Sequence, residues 1–276
     1  MSFIFFGTDV FSVTTLETLK ERGFIPSLIV TAPSKPQGRK QIITPPPVKV
    51  WADRESIPTL QPEKFTRDTA LDLIHRGPFD FFVTASYGAI IPEFILDIPV
   101  YGAFNIHPSR LPFLRGPSPL QTAILNDMQD TGVSVMKMDS KMDHGDIVAF
   151  EGLHKELLPN DWPPTTEELG ILLFTRGAHL LADYIPSILD CSLKTTAQDH
   201  SIATFTHFIN KRDAEIKLTD NPYKNYLKCK AYHKWPRPFF YDENGKRIVI
   251  TEVEYTDGKL IIKKIIPEGK PEQTYT

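Results

Sequence analysis

Asn105, His107 and Asp143 are the side chains whose types could do chemistry together. They stand in Phe104-Asn105-Ile106-His107-Pro108-Ser109 and in Met142-Asp143-His144-Gly145-Asp146. Asn-x-His closes a short apolar run. Side chains alternate along a strand with period two, so the amide and the imidazole share one face. An amide N–H, an imidazole and a carboxylate suit a reaction in which a carbonyl oxygen gains negative charge while a proton moves. The same residue types also serve as hydrogen-bonded loop residues at strand ends, so the surrounding sequence has to discriminate.

The elements that must position them follow from periodicity. The first two-thirds of the chain alternates strand-like and helix-like segments, which predicts an α/β fold with a largely parallel sheet. Residues 3–6 form an apolar run. Residues 10–22 then space Val13, Leu16 and Leu19 along one helical face before Gly23 stops the helix. Strands are expected at 27–31, 58–60, 79–85 and 102–106, with helices at 48–54 and 66–75. Residues 32–47 read as a long loop without a regular element, rich in Pro, Gly, Lys and Arg. Ser118-Pro119-Leu120-Gln121 matches a capping box with proline at the first helical position. Strands at 133–138 and 147–150 flank Asp143, and a helix over 165–189 closes a first domain, 1–189. A linker is expected at 190–203. The C-terminal domain, 204–276, reads as a small β-barrel or meander. It has a helix near 223–232, strands at 239–241, 247–254 and 259–265, and turn signals at Asn244-Gly245 and Asp257-Gly258.

Several function classes drop out. The 276 residues are 41% hydrophobic and 24% charged, as in an ordinary soluble protein, and no stretch reaches the roughly 18 apolar residues of a membrane span. The start lacks a charged leader and cleavage site and reads as a buried strand. Cys191 and Cys229 make no framework and no metal spacing, so a reducing cytoplasm is expected. Gly7 follows the first strand without a G-x-G-x-x-G pattern. P-loop, His/Cys cluster and Gly-x-Ser-x-Gly elbow are missing too, so no dinucleotide and no metal are expected. Net charge is −3, but residues 205–276 hold 14 Lys/Arg against 10 Asp/Glu, while the first 204 hold 17 against 24. A basic C-terminal region and the basic loop around Arg39 and Lys40 suit local contact with a polyanion, or are simply solvated surface.

Four blocks carry a resemblance to the methionyl-tRNA formyltransferase family: Phe5-Phe6-Gly7-Thr8 with Phe11; Gly38-Arg39-Lys40 through Pro45-Pro46-Pro47-Val48-Lys49 and Leu60-Gln61-Pro62-Glu63; Asn105 to Gly116 with Met142 to Asp146; and Trp235-Pro236-Arg237-Pro238. The resemblance implies a Rossmann-like formyltransferase domain with a mostly parallel sheet, followed by a shortened OB-like β-barrel domain that binds tRNA. It implies transfer of a formyl group from 10-formyltetrahydrofolate to the α-amino group of methionyl-initiator-tRNA. Asn105 and His107 would stabilise the tetrahedral oxyanion, and Asp143 would assist proton transfer. Asp146 is the rival carboxylate, expected instead to brace the turn.

Folate contacts are implied at Tyr87, Gly88, Ala89, Ile90 and Ile91, and at Ser109, Arg110, Leu111 and Pro112. Arg39 and Lys40 are implied to approach the acceptor end of the tRNA. A cytoplasmic monomer that needs no metal is expected. Four positions depart from the family pattern: Arg110 and His144 are unusual beside the site, and Gln41 and Ile42 replace common lysines. An amino-sugar-nucleotide N-formyltransferase keeps the same chemistry with another acceptor. A non-catalytic RNA-binding protein on the same fold is the rival of a different class.

Overall fold

Phenylalanine-rich runs build the sheet that carries the site. The computed structural model describes residues 1–38, 40–158 and 160–275, and these divide into two units. The first comprises Met1–Arg115, Gly132–Gly152 and Ile171–Phe205. Its chain runs through β1 (Phe3–Phe6), α1 (Val10–Glu21), β2 (Leu28–Val30), β3 (Lys35–Gln37), β4 (Ile42–Thr44), α2 (Pro47–Arg54) and β5 (Thr59–Leu60). It continues through α3 (Arg67–Arg76), β6 (Phe81–Ala85), a short α4 (Glu93–Leu96) and β7 (Ala103–His107). After α5 (Pro119–Leu125), which belongs to the second unit, come β8 (Gly132–Lys137), β9 (Ile147–Gly152) and α6 (Thr166–Leu189), the last contributing its residues from Ile171 onward.

The seven-stranded sheet has the order β5-β2-β1-β6-β7-β8-β9. It is parallel from β5 to β7 and antiparallel across β7–β8 and β8–β9. Phe3, Phe5, Phe6, Phe81, Phe82 and Phe104 are all fully buried, as expected of strands covered on both faces. Withdrawing such a side chain from water contributes about 1.5–3 kcal/mol, which makes the middle of the sheet a stiff platform. From α6, Leu173, Phe174, Ala178, Leu181, Ala182, Ile185 and Ile188 face the core at helical spacing. Gly177 lets this helix lie close over β7 and β8, because a Cβ there would meet Ile106 Cγ2 at 2.4 Å and Val133 Cγ2 at 2.7 Å.

Residues 32–47 differ from expectation. β3 and β4 form an antiparallel hairpin, with Gly38 (φ +69°) and Gln41 (φ +49°) in the turn. Both strands are short and largely exposed, with Ile42 and Ile43 more than 60% exposed, so main-chain pairing rather than one buried face defines them. Residues 190–203, read as a linker, lie in the first unit, and Thr196 exchanges both main-chain hydrogen bonds with Ile147 at 2.8 Å.

The second unit comprises Gly116–Thr131, Leu153–Gly170 and Thr206–Thr276. Helices α5 and α7 (Pro222–Ala231) pack together, and α7 also lies on the antiparallel sheet β10-β11-β12-β13. Those strands are Phe239–Tyr241, Arg247–Thr256, Lys259–Pro267 and Gln273–Thr274. Ile216, Cys229, Phe240, Ile248, Ile250 and Ile265 form the core of this unit, and β11 alternates between buried and half-buried positions in its first half. Asp257 and Gly258, both at positive φ, make the two-residue turn between β11 and β12.

Pro119 does open α5, but the capping box does not form. Ser118 spends its hydroxyl proton on the His207 carbonyl at 2.6 Å. Among the described residues no helix is long and apolar enough to cross a membrane.

Candidate functional site

Strand β7 delivers Asn105 and His107 together. It is flanked by β6 and β8, with Thr84 opposite Asn105 on one side and Met136 opposite it on the other, so main-chain bonds fix its register on both edges. His107 is the last residue of the strand and is 4% exposed, while Asn105 is half-buried. The loop after β8 brings Asp143 to them. Asp143 Oδ1 lies 3.5 Å from Asn105 Nδ2 and 3.6 Å from His107 Nδ1. Both contacts exceed the roughly 2.7–2.9 Å of a charge-assisted hydrogen bond, so the amide and the ring nitrogen are close enough to share the carboxylate but are not locked to it.

The other ring nitrogen of His107 is committed. Nε2 stands 3.0 Å from the Leu114 carbonyl oxygen. A carbonyl only accepts, so Nε2 carries the hydrogen and Nδ1 is the nitrogen left to take up or release a proton toward Asp143.

The Asp143 loop is held by side chains. Asp143 has φ +50°, a left-handed conformation that persists only where surroundings enforce it. Gln198 Nε2 donates to the Asp143 carbonyl at 3.0 Å and to the Gly145 carbonyl at 2.6 Å. Its Oε1 accepts from Arg115 Nε and Nη2 at 3.2 and 2.7 Å. Arg115 is 3% exposed, stacks on the Phe205 ring at 5.9 Å and donates to His200 Nδ1 at 2.8 Å. The His200 ring lies flat on His144, with centroids 4.0 Å apart, and His144 Nδ1 pairs with Asp139 at 2.6 Å. Loss of hydration, then the charges of His144, Arg115 and Lys141, push the His200 pKa down, against a smaller opposing pull from Asp139. Gly145 is forced, because a Cβ there would sit 2.0 Å from the Lys137 carbonyl oxygen. Asp146 points elsewhere, accepting from the Thr195 hydroxyl at 2.9 Å.

The remaining expected residues fall into three groups. Tyr87 to Ile91 follow β6 at its C-terminal end, the neighbour of the strand end that holds His107. The Tyr87 ring packs against Phe6 and Phe65, and burial pushes its phenol up to about 12. Gly88, Ala89 and Ile90 are exposed, and Ile91 is buried. Just before them Ser86, at φ +50°, donates to Asp9 at 2.6 Å. Asp9 caps α1, and burial pushes its carboxyl up.

In the second group Ser109 and Leu111 face inward. The Ser134 hydroxyl donates to the Ser109 carbonyl at 2.8 Å and accepts from the Leu111 N–H at 3.1 Å. Arg110 turns outward over the Phe150 ring, 5.4 Å from its centroid, and Pro112 follows a cis peptide bond. In the third group Lys40 is exposed at the tip of the β3–β4 hairpin, while Arg39 lies outside the described residues. A separate cleft of about 700 Å³ is lined by Tyr101, Phe104, Lys137, Asp139 and Asp146 among others, but by none of Asn105, His107 and Asp143.

Sequence reading missed Gln198, Arg115 and His200. Gln198 and His200 sit in a polar stretch without periodicity. The only available signal was an arginine set between Leu114 and Gly116, within a block otherwise suited to burial.

Residues 1–160 match the formyl transferase family. The methionyl-tRNA formyltransferase of Halalkalibacterium halodurans is 37% identical over 236 residues, covering 86% of this chain and 73% of that one. Among solved structures, methionyl-tRNA formyltransferase from Clostridium thermocellum superposes with a TM-score of 0.65 at 21% identity, covering 97% of this chain and 98% of that chain. The N-formyltransferase from Helicobacter canadensis, solved with folinic acid and dTDP-3-aminofucose, gives 0.65 at 17% identity over 93% of this chain and 89% of its own. The α/β unit with Asn105, His107 and Asp143 at one end of its sheet is thus a formyl-transfer fold. The chain belongs to the methionyl-tRNA formyltransferase family.

Proposed function

We propose that the protein transfers the formyl group of 10-formyltetrahydrofolate to the α-amino group of methionyl-initiator-tRNA. The observation that carries this reading is the convergence of Asn105 Nδ2 and His107 Nδ1 on one oxygen of Asp143, at 3.5 and 3.6 Å. The folate supplies the formyl carbon that the amine attacks. Asn105 then turns its amide N–H to the oxygen that becomes negative, and a proton on His107 Nδ1 adds a charge-assisted donor there. Asp143 receives the proton that leaves the amine and holds it beside Nδ1, ready for the departing nitrogen. The Leu114 carbonyl keeps Nε2 out of this traffic.

Folate contact is assigned to the exposed main chain of Gly88 to Ile90 beside Tyr87 and Ile91, and to the segment from Ser109 through Arg110 and Leu111 to Pro112. What supports this is that both segments leave adjacent strand ends, β6 and β7. Arg110, lying outward on Phe150, suits an anionic group of the folate better than the reacting centre. Catalysis is assigned to residues within 1–189 and tRNA contact to 204–276 together with Arg39 and Lys40, with 190–203 between them also bracing the catalytic loop. The proposed location is the cytoplasm, as a monomer.

The test is formylation by the purified full chain with 10-formyltetrahydrofolate, offered either charged methionyl-tRNA or an amino-sugar nucleotide. Methionyl-tRNA is the expected acceptor, and turnover of the sugar alone would overturn the reading. Asn105→Ala, His107→Ala and Asp143→Ala should each lower kcat by about 10²–10³, the usual cost of removing one such group, while filter-binding affinity for the tRNA stays within about threefold.

A further inference from the structure

Gln198 is buried at 5% exposure, and its amide is saturated: both N–H groups donate, to the Asp143 and Gly145 carbonyls, and both oxygen lone pairs accept, from two nitrogens of Arg115. Arg115 has donors only, so the amide oxygen must face it and the amide nitrogen must face the loop. The orientation admits no flip. Arg115 is in turn kept in place by the Phe205 ring and His200. The two carbonyls that Gln198 grips flank His144 and include that of Asp143 itself, whose left-handed backbone needs outside enforcement.

We propose that Gln198, clamped by Arg115, is a positioning residue for the formyl-transfer site, setting the Asp143 carboxylate at its working distance from Asn105 and His107. It touches no reacting atom and acts only through the Asp143–Gly145 main chain. The proposal deepens the function given above and rests on Asp143 taking part in the reaction. Displacements of about 1 Å in catalytic groups are enough to cost about 10²-fold in rate.

Gln198→Glu separates positioning from mere support. The carboxylate keeps a partner for Arg115, and so keeps 190–203 anchored, but it offers the two carbonyls only repulsion. With the full chain, kcat for Met-tRNA formylation is expected to fall about 10- to 100-fold, with KM for folate and for tRNA within about threefold and Tm near that of the wild type. The 15N resonances of the His107 ring, which sense the Asp143 carboxylate, should move in the same direction as they do in Asp143→Asn. If Gln198→Glu does not fold, Gln198→Met removes the two donors together with the oxygen that accepts from Arg115, and the His107 resonances of the folded variant then decide. Unmoved His107 resonances in the folded variant, or wild-type kcat per folded molecule, overturn the proposal. A wild-type chain that formylates only an amino-sugar nucleotide would instead overturn the acceptor reading, and the resonances would still decide the role of Gln198.

Discussion

Asn105 and His107 are placed by main-chain bonds on both edges of β7, whereas Asp143 is placed by side chains that reach its loop from elsewhere in the chain. The strand buries its own Phe104 and Ile106, with Ile106 under α6, and its geometry is a by-product of the fold's stability. The loop keeps a left-handed aspartate and a glycine that admits no Cβ, and a buried glutamine from 190–203 grips it. One half of the site is therefore inherited from the core. The other half is built for the site alone, and damage to the two should separate stability from catalysis.

The strand side should show the largest effect on stability. Ile106 is 1% exposed and packs under Gly177, so Ile106→Ala removes buried methyl groups and leaves a cavity. A loss of about 2–5 kcal/mol in urea unfolding is expected, with kcat per folded molecule changed less than about threefold. A kcat collapse in a still-folded Ile106→Ala would erase the contrast.

On the loop side, Gly145→Ala should do the reverse. Its new methyl group meets a main-chain oxygen, not a yielding side chain, so the loop has to shift. About 1–3 kcal/mol of overpacking is expected, less than for Ile106→Ala, together with a drop in kcat of at least tenfold as Asp143 moves with its neighbour. Unchanged kcat would mean that the loop position is not what sets the rate.

The same contrast decides what could be read from the chain. Asn105 and His107 share a strand face by period two, and the apolar run before them announces a buried strand. Two residues of the site and the α/β sheet were therefore legible from local pattern. Asp143 had no such signal. Its residue type offered it alongside Asp146 and only the family resemblance preferred it, because a loop residue's position depends on Gln198, fifty-five residues onward, and no periodicity links the two. The β3–β4 hairpin escaped for a related reason: its strands bury no face, so hydrophobic alternation had nothing to report. Ser118 escaped because a capping pattern states what a hydroxyl is able to accept, not which way it turns, and here it is turned to donate to the His207 carbonyl.

The smallest expected effect lies at the outer end of the chain of contacts behind the loop. His200 Nδ1 accepts from Arg115, which has nothing to accept with, so protonating His200 breaks that bond. It also sets a new cation against Arg115, Lys141 and the stacked His144, with the Asp139 and Asp199 carboxylates opposing them. The folded-state pKa is thus below the unfolded value of about 6.5. Between those two values the unfolded chain binds more protons, so stability rises with pH through the window and is lost as pH falls below about 6.5. His200→Phe keeps an aromatic ring on His144 and removes the titration. Its Tm should therefore fall less than that of the wild type between about pH 7 and pH 5. Parallel Tm curves would show that protons at His200 do not reach the loop, and that the bracing of Asp143 ends at Arg115.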